Sequence, residues 1–94
     1  MKRLCLTREQ LQFVMTGQKT VDVRIDEGWP AKLVAGNMFC FKAGPDQCVV
    51  RLANSIPYVT FEEMLNNIPH ESCLPGYKSS RAALALFHRD LNTK

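Results

Sequence analysis

The position of the strand-like segments along the chain constrains this fold most. In the region of residues 20–56, two segments, 20–25 and 47–56, show the period-two pattern of a half-buried β-strand, and a third, 38–42, consists of β-favouring residues. On both sides of this region, apolar residues recur three or four positions apart, as they do on one face of a helix. Strands grouped in the middle with helices at either end favour an α+β domain over the alternating units of a parallel sheet.

Local signals predict where the elements begin and end. Thr7 followed by Gln10 is a capping-box pattern that starts a first helix, and Gly17 is placed to end it in a left-handed conformation. Residues 69–80 contain Pro and Gly and are predicted to form a loop. The predicted strands cover residues 3–6, 20–25, 38–42 and 47–56, and two later helices begin near Thr60 and near Ser79 or Ser80.

Length and composition indicate one domain spanning residues 1–94, with one hydrophobic core and no internal repeat. The four cysteines are far apart in sequence, which argues against a zinc site, and the residue pattern implies no other metal or cofactor. No apolar stretch has the length of a signal peptide or of a membrane span. We therefore expect a cytoplasmic protein with reduced thiols and no membrane partner.

The net charge of +3 favours an anionic ligand without demanding one. The segment Gly17–Arg24 is the part of the chain best suited to hold such a ligand. Lys19 follows the end of the first helix, and Asp22 and Arg24 share one face of the predicted strand after it. Lysine supplies a point charge, and arginine supplies a planar pair of donors for a phosphate or a base edge. An ordinary exposed ion pair between Asp22 and Arg24 is the simpler interpretation of the same pattern.

This segment resembles the G-x-K-x-x-E-x-R signature of the ASCH domain family, whose members are related to PUA domains. The resemblance covers nearly the whole chain, including the run from Tyr58 to Leu65. It implies a PUA-like small β-barrel of mostly antiparallel strands with flanking helices. It also implies that Gly17, Lys19, Asp22 and Arg24 line a cationic cleft between the first helix and the barrel, where RNA, a nucleotide or a nucleoside binds.

An enzymatic alternative comes from a branch of the same family that hydrolyses N4-acylated cytidine, while other members are ribonucleases. Lys19 matches the lysine of the hydrolases, but Asp22 occupies the position of their threonine, and Thr20 lies two residues earlier, about 6.6 Å away along a strand. Asp22 also replaces the glutamate that is usual in the family. If the protein is an enzyme, the predicted catalytic residues are Lys19, Asp22 and Glu63, although Glu62 and Glu63 also fit as carboxylates of a helix's first turn.

Loop aromatics and scattered basic residues are further candidates. Trp29 and Tyr77 could stack on a base, although loop aromatics also serve as partly buried anchors. Four basic residues are candidate phosphate contacts, with solvated surface charge as the default: Lys42, Arg51, Lys78 and Arg81. The predicted nucleic-acid-binding residues are therefore Lys19, Thr20, Asp22, Arg24, Trp29, Tyr77 and Lys78.

Overall fold

The computed structural model of the protein describes residues 1–91, so residues 92–94 of the predicted domain lie outside the described part. Three strands, a 3-10 turn and four helices follow one another within residues 1–91. In order they are β1 (Arg3–Cys5), α1 (Arg8–Met15), the 3-10 turn (Trp29–Lys32), β2 (Met38–Ala43), β3 (Asp46–Arg51), α2 (Phe61–Asn67), α3 (His70–Cys73) and α4 (Ser80–Leu91).

The strands form one sheet in the order β1-β2-β3. β1 runs parallel to β2 with Arg3 opposite Cys40, and β3 runs antiparallel to β2 with Val49 opposite Cys40. Within residues 1–91 this sheet is open. The architecture is α+β, as expected, but the predicted PUA-like barrel is wrong.

The barrel is missing because one predicted strand does not form and another is shorter than predicted. Residues 20–25 form no strand, and β3 ends at Arg51 although the alternation continues to residue 56. The backbone N–H groups of Thr20 and Val21 donate to the Ser72 carbonyl of α3, at 2.9 and 3.1 Å, and not to a neighbouring strand. Alternating polarity thus reflects one buried side of an irregular segment here.

The predicted starts of α1 and α2 are confirmed, although within residues 1–91 Gln10 Oε1 has no hydrogen-bond partner, so the capping box at α1 is only half formed. Thr7 Oγ1 accepts from the backbone N–H of Gln10 at 3.1 Å, and Thr60 Oγ1 accepts from that of Glu63 at 3.0 Å. Each bond satisfies one of the donors that a helix N-terminus leaves open. Gly17 has φ +80°, the left-handed conformation predicted at the end of the first helix.

The buried residues form two separate clusters. The sheet cluster joins α1 to the inner face of the sheet and consists of Leu11, Phe39, Phe41 and Ala43. The helical cluster joins α2, α3 and α4 and consists of Met64, Cys73, Leu74, Ala83 and Phe87. None of the helices within residues 1–91 has the length and apolar character needed to cross a membrane.

Candidate functional site

A cleft of about 1030 Å³ is lined by residues of both clusters. Phe39 and Phe41 of the sheet cluster and Met64 of the helical cluster contribute to its lining. Two continuous segments also line it, residues 19–26 and residues 50–62, the second running from β3 to the first turn of α2. This volume is at the upper end of the range of small-molecule sites.

The end of α1 directs the motif segment toward α3. Because Gly17 adopts a positive φ, the next two N–H groups, of Gln18 and Lys19, both donate to the Phe13 carbonyl, at 2.9 and 3.0 Å. The chain then leaves the helix, and the two bonds from residues 20 and 21 to the Ser72 carbonyl fasten it to α3. This turn places Lys19 beside the last residues of α3.

Lys19 is buried, with its side chain only 5% exposed. Its ammonium group donates to the carbonyl oxygens of Val21, at 3.0 Å, and of Cys73, and it lies 3.7 Å from Asp22 Oδ1. An ammonium has three N–H donors, and three acceptors surround this one. Burial lowers the pKa of Lys19 from its ordinary value, while the negative charge of Asp22 opposes that shift.

Arg24 is held from two sides and is still partly open to solvent. Its Nε donates to Asp22 Oδ2 at 2.6 Å, and its Nη2 donates to the Cys5 carbonyl at 3.2 Å. These bonds engage two of the five N–H groups of the guanidinium, and the others have no partner within residues 1–91. Asp22 therefore links a buried lysine to an arginine that retains donors.

The carboxylate that lines the cleft from α2 is Glu62, and Glu63 is absent from the lining. Glu62 Oε1 lies 3.3 Å from His88 Nε2 of α4, and the His88 ring meets the edge of Phe61 with 5.4 Å between centroids. The backbone N–H of Glu63 is occupied by the Thr60 cap. The structure thus brings together Lys19 and Asp22 of the predicted catalytic set without the third member.

The predicted nucleic-acid-binding residues divide into two groups. Thr20 lines the cleft together with Lys19, Asp22 and Arg24, whereas three others lie outside its lining: Trp29, Tyr77 and Lys78. The Trp29 ring packs edge-on against Phe39 with centroids 6.5 Å apart, and Tyr77 packs against the helical cluster. Both aromatics serve as partly buried anchors.

Apart from His88, the charges of the lining are balanced. The lining contains three cations and three carboxylates: Lys19, Arg24 and Arg51, and Asp22, Asp26 and Glu62. The apolar part of the lining is mostly aliphatic and includes four aromatic side chains: Phe39, Phe41, Tyr58 and Phe61. Among residues 1–91, no three His, Cys, Asp or Glu side chains come together in a group that could hold a metal ion. The cleft is suited to a small, partly aromatic ligand of low charge.

No family model matches this chain, and no curated protein matches it. A solved structure, the crystal structure of hypothetical protein PH0355, is similar with a TM-score of 0.84. The two chains are 24% identical, and the match covers 98% of this chain and 84% of the other. This likeness shows a shared fold alone.

Sequence reasoning missed the α3 contribution and the pairing of Glu62 with His88. Residues 69–80 were predicted to be a loop, so nothing indicated that Ser72 and Cys73 would present carbonyl groups to the motif segment. Glu62 directly follows Phe61, and His88 directly follows Phe87. The Phe61 and Phe87 rings stack with centroids 5.5 Å apart, and this packing brings Glu62 and His88 together. The two Phe-containing dipeptides indicate this pairing only once α2 and α4 are known to pack together.

Proposed function

We propose that the cleft binds a nucleoside or nucleotide and that Arg24 is its main polar contact. The observation that supports this most is the state of Arg24, which is anchored by Asp22 and the Cys5 carbonyl and keeps three N–H groups without a partner in the described chain. A guanidinium held in this way has lost part of its rotamer freedom before a ligand arrives. It can therefore donate to a phosphate or a base edge at a smaller entropic cost.

The lining suits the rest of such a ligand. Tyr58 and Phe61 are partly buried in the helical cluster and still line the cleft, so they offer apolar surface to a base or a sugar. The balanced charge of the lining favours one nucleoside or nucleotide within the cleft over a polyanion. Of the cations that line the cleft, Lys19 is buried among its acceptors, so Arg24 and Arg51 remain to contact a ligand, and Arg24 is the one held in place by Asp22.

Lys19 takes a positioning role in this proposal. Its ammonium group already faces three acceptors and its side chain is 5% exposed, so it holds Asp22 and the motif backbone in place. Asp22 in turn orients Arg24 through the 2.6 Å bond. The shorter aspartate, where the ASCH family usually has glutamate, supports this arrangement because it reaches both cations.

The resemblance of Gly17, Lys19, Asp22 and Arg24 to the ASCH signature supports the same ligand class. We propose membership of that family on this motif, with an open sheet in place of the barrel. The fold shared with hypothetical protein PH0355 says nothing about a ligand.

The geometry favours binding over hydrolysis of an N4-acylated cytidine or cleavage of RNA. A lysine that acts as base or nucleophile needs a lone pair directed at the substrate. Lys19 would have to release a carbonyl acceptor to present one. Its lowered pKa is the observation that favours the hydrolase, since a smaller cost of deprotonation is what such a base requires. Turnover of the ligand distinguishes the two functions, because a hydrolase or nuclease converts it and a binding protein leaves it intact.

The test measures the shift in melting temperature that cytidine, cytidine monophosphate and N4-acetylcytidine produce, in wild type and in Arg24→Gln. At a ligand concentration about 100 times the Kd, binding raises the free energy of unfolding by about 2.7 kcal/mol. We expect Arg24→Gln to weaken binding by about 10- to 100-fold, the loss of one or two charge-assisted hydrogen bonds. Arg81→Gln is the matched control, because Arg81 is exposed on α4 and outside the cleft.

Mass spectrometry of the same mixtures gives the second readout. Intact N4-acetylcytidine after incubation with wild type, together with an Arg24-dependent shift, supports binding alone. Release of cytidine that is lost in Lys19→Met would establish the hydrolase instead. Equal shifts in wild type and Arg24→Gln would refute the role of Arg24.

A further inference from the structure

The outward face of the sheet is a second charged surface. Among its cations, only Arg51 also lines the cleft. Strand alternation assigns residues 3, 5, 38, 40, 42, 47, 49 and 51 to one side of the sheet, while Phe39, Phe41 and Val50 on the other side pack in the sheet cluster. We call the first side the outward sheet face. It is defined by Arg3, Cys5, Met38, Cys40, Lys42, Gln47, Val49 and Arg51.

The charge on this face has one sign. Arg3, Lys42 and Arg51 are its ionisable cations, and no outward position of β1, β2 or β3 is occupied by Asp or Glu. None of the three cations has an ion-pair partner within residues 1–91. This face therefore has an excess of positive charge that the cleft lacks.

Strand register places the three cations close together. Arg3 lies opposite Cys40, two residues before Lys42 on the adjacent strand, so their Cα atoms are about 8 Å apart. Arg51 lies opposite Met38, which puts its Cα atom about 12 Å from that of Arg3 and about 14 Å from that of Lys42. One flexible anionic chain can contact all three.

The uncharged part of the face suits a chain with apolar and polar parts. Met38 and Val49 are 50% and 53% exposed, and Gln47 offers an amide. At the centre, the Cys40 side chain is buried and close to Gln47, with Cys40 Sγ 3.3 Å from Gln47 Oε1. A cationic surface with half-exposed apolar side chains can contact phosphates and sugars without selecting a base.

We propose that the outward sheet face binds the phosphate backbone of a single-stranded nucleic acid. We choose a nucleic acid over an acidic protein segment because the proposed function puts a nucleotide in the cleft, and this choice rests on that function. Arg51 connects the two sites, since it belongs both to this face and to the lining of the cleft. A strand with one nucleotide in the cleft can continue past Arg51 onto the sheet. A second copy of the chain is disfavoured, because two such faces would repel each other.

The test compares Arg3→Gln/Lys42→Gln with Lys32→Gln/Arg81→Gln. Both pairs remove two positive charges, all four residues lie outside the cleft lining, and only the first pair is on the outward sheet face. The probe is a fluorescein-labelled 12-residue oligocytidylate, and its affinity is measured by fluorescence anisotropy from 0.05 to 0.3 M salt. Unchanged melting temperatures would establish that both double variants are folded.

Each lost phosphate contact lowers the slope of log affinity against log salt by about 0.7 for a single strand. For Arg3→Gln/Lys42→Gln we expect a slope reduced by about 1.4 and an affinity about 20-fold lower at 0.1 M salt. The control pair should change the affinity by less than about threefold. Equal losses in the two double variants, or no loss in either, would overturn the proposal.

Two further measurements separate the occupants and the two proposals. Poly-glutamate of equal charge should displace the oligonucleotide poorly; equal displacement would identify a face for any polyanion and overturn the choice of nucleic acid. Binding of cytidine monophosphate should be unaffected by Arg3→Gln/Lys42→Gln. If cytidine monophosphate does not bind but Arg3→Gln/Lys42→Gln weakens oligonucleotide binding, the cleft function is refuted and binding at the outward sheet face stands. If cytidine monophosphate binds but Arg3→Gln/Lys42→Gln leaves oligonucleotide binding unchanged, binding at the outward sheet face is refuted and the cleft function stands.

Discussion

The two hydrophobic clusters are held together in different ways. The sheet cluster is built on strands whose backbone groups pair in a continuous register, with α1 packed over Phe39 and Phe41. The helical cluster contacts the motif segment through Val21 and Val23 and through carbonyl groups at the end of α3. One region thus depends on a local pattern, and the other on contacts between residues about 50 positions apart.

Lys19 has the most buried polar side chain in this second set of contacts. Its ammonium group ties the end of α1 to the Cys73 carbonyl. A buried charge contributes little net stability, but removing it leaves its acceptors without donors. The comparison therefore predicts that substitutions at Lys19 destabilise the helical cluster more than the sheet cluster.

The largest effect is expected for Lys19→Met, which keeps the length of the apolar stem and removes the ammonium group. The carbonyls of Val21 and Cys73 lose their donor, so the free energy of unfolding should fall by about 2 to 3 kcal/mol. The melting temperature should fall by about 8 to 20 °C in a domain of this size. Hydrogen exchange should accelerate more in α3 and α4 than in β2 and β3.

Lys32→Met is the matched control, because Lys32 is exposed in the 3-10 turn. It should change the free energy of unfolding by less than about 0.5 kcal/mol. Uniform acceleration of exchange in Lys19→Met would contradict the comparison, since it would mean that both clusters open as one unit.

The sheet cluster could largely be predicted from sequence, and the reason is local. The β2–β3 hairpin follows from β-favouring residues on either side of a Gly-Pro turn, and α1 follows from the Thr7 cap and the positive φ of Gly17. Each signal is complete within about ten residues. The predicted barrel was wrong because alternation between residues 20 and 25 indicates that one side of the segment is buried, but not that the segment pairs with another strand.

Only half of the candidate site was accessible to the same reasoning. The spacing of Lys19, Asp22 and Arg24 predicted that their charges converge, but not that one ammonium is buried and one guanidinium retains donors. That difference depends on α3, a single turn without an apolar period of its own. Glu62 and His88 meet for a similar reason, through packing between α2 and α4.

A matched pair of cap variants compares the two regions at smaller amplitude. Thr60→Ala removes the cap of α2 in the helical cluster, and Thr7→Ala removes the cap of α1 beside the sheet cluster. Each should lower the free energy of unfolding by about 1 kcal/mol, measured by urea unfolding. Only Thr60→Ala should also accelerate exchange selectively in α2 and α4. Identical exchange profiles for the two variants would argue against separate responses of the clusters.

The smallest effect is a change of stability with pH, in which Lys19 and Cys73 act in opposite directions. Burial lowers the pKa of Lys19, so between that value and the ordinary lysine pKa the unfolded chain binds more protons, and stability rises with pH. Burial raises the pKa of the Cys73 thiol, so above the ordinary cysteine value the unfolded chain releases a proton first, and stability falls. Asp22 and Arg24 are the other charges that act on Lys19.

Removing the thiol isolates the lysine contribution. The free energies of unfolding of Cys73→Ala and Cys73→Ala/Lys19→Met should be compared between pH 8 and 10.5, because the remaining titrating groups are common to both proteins. The difference in favour of the chain that retains Lys19 should widen as the pH rises, since the cost of burying a charged ammonium disappears once the group is neutral in both states. A difference that narrows with pH would mean that the interactions with Asp22 and the carbonyls outweigh burial, and that folding stabilises the charged form of Lys19.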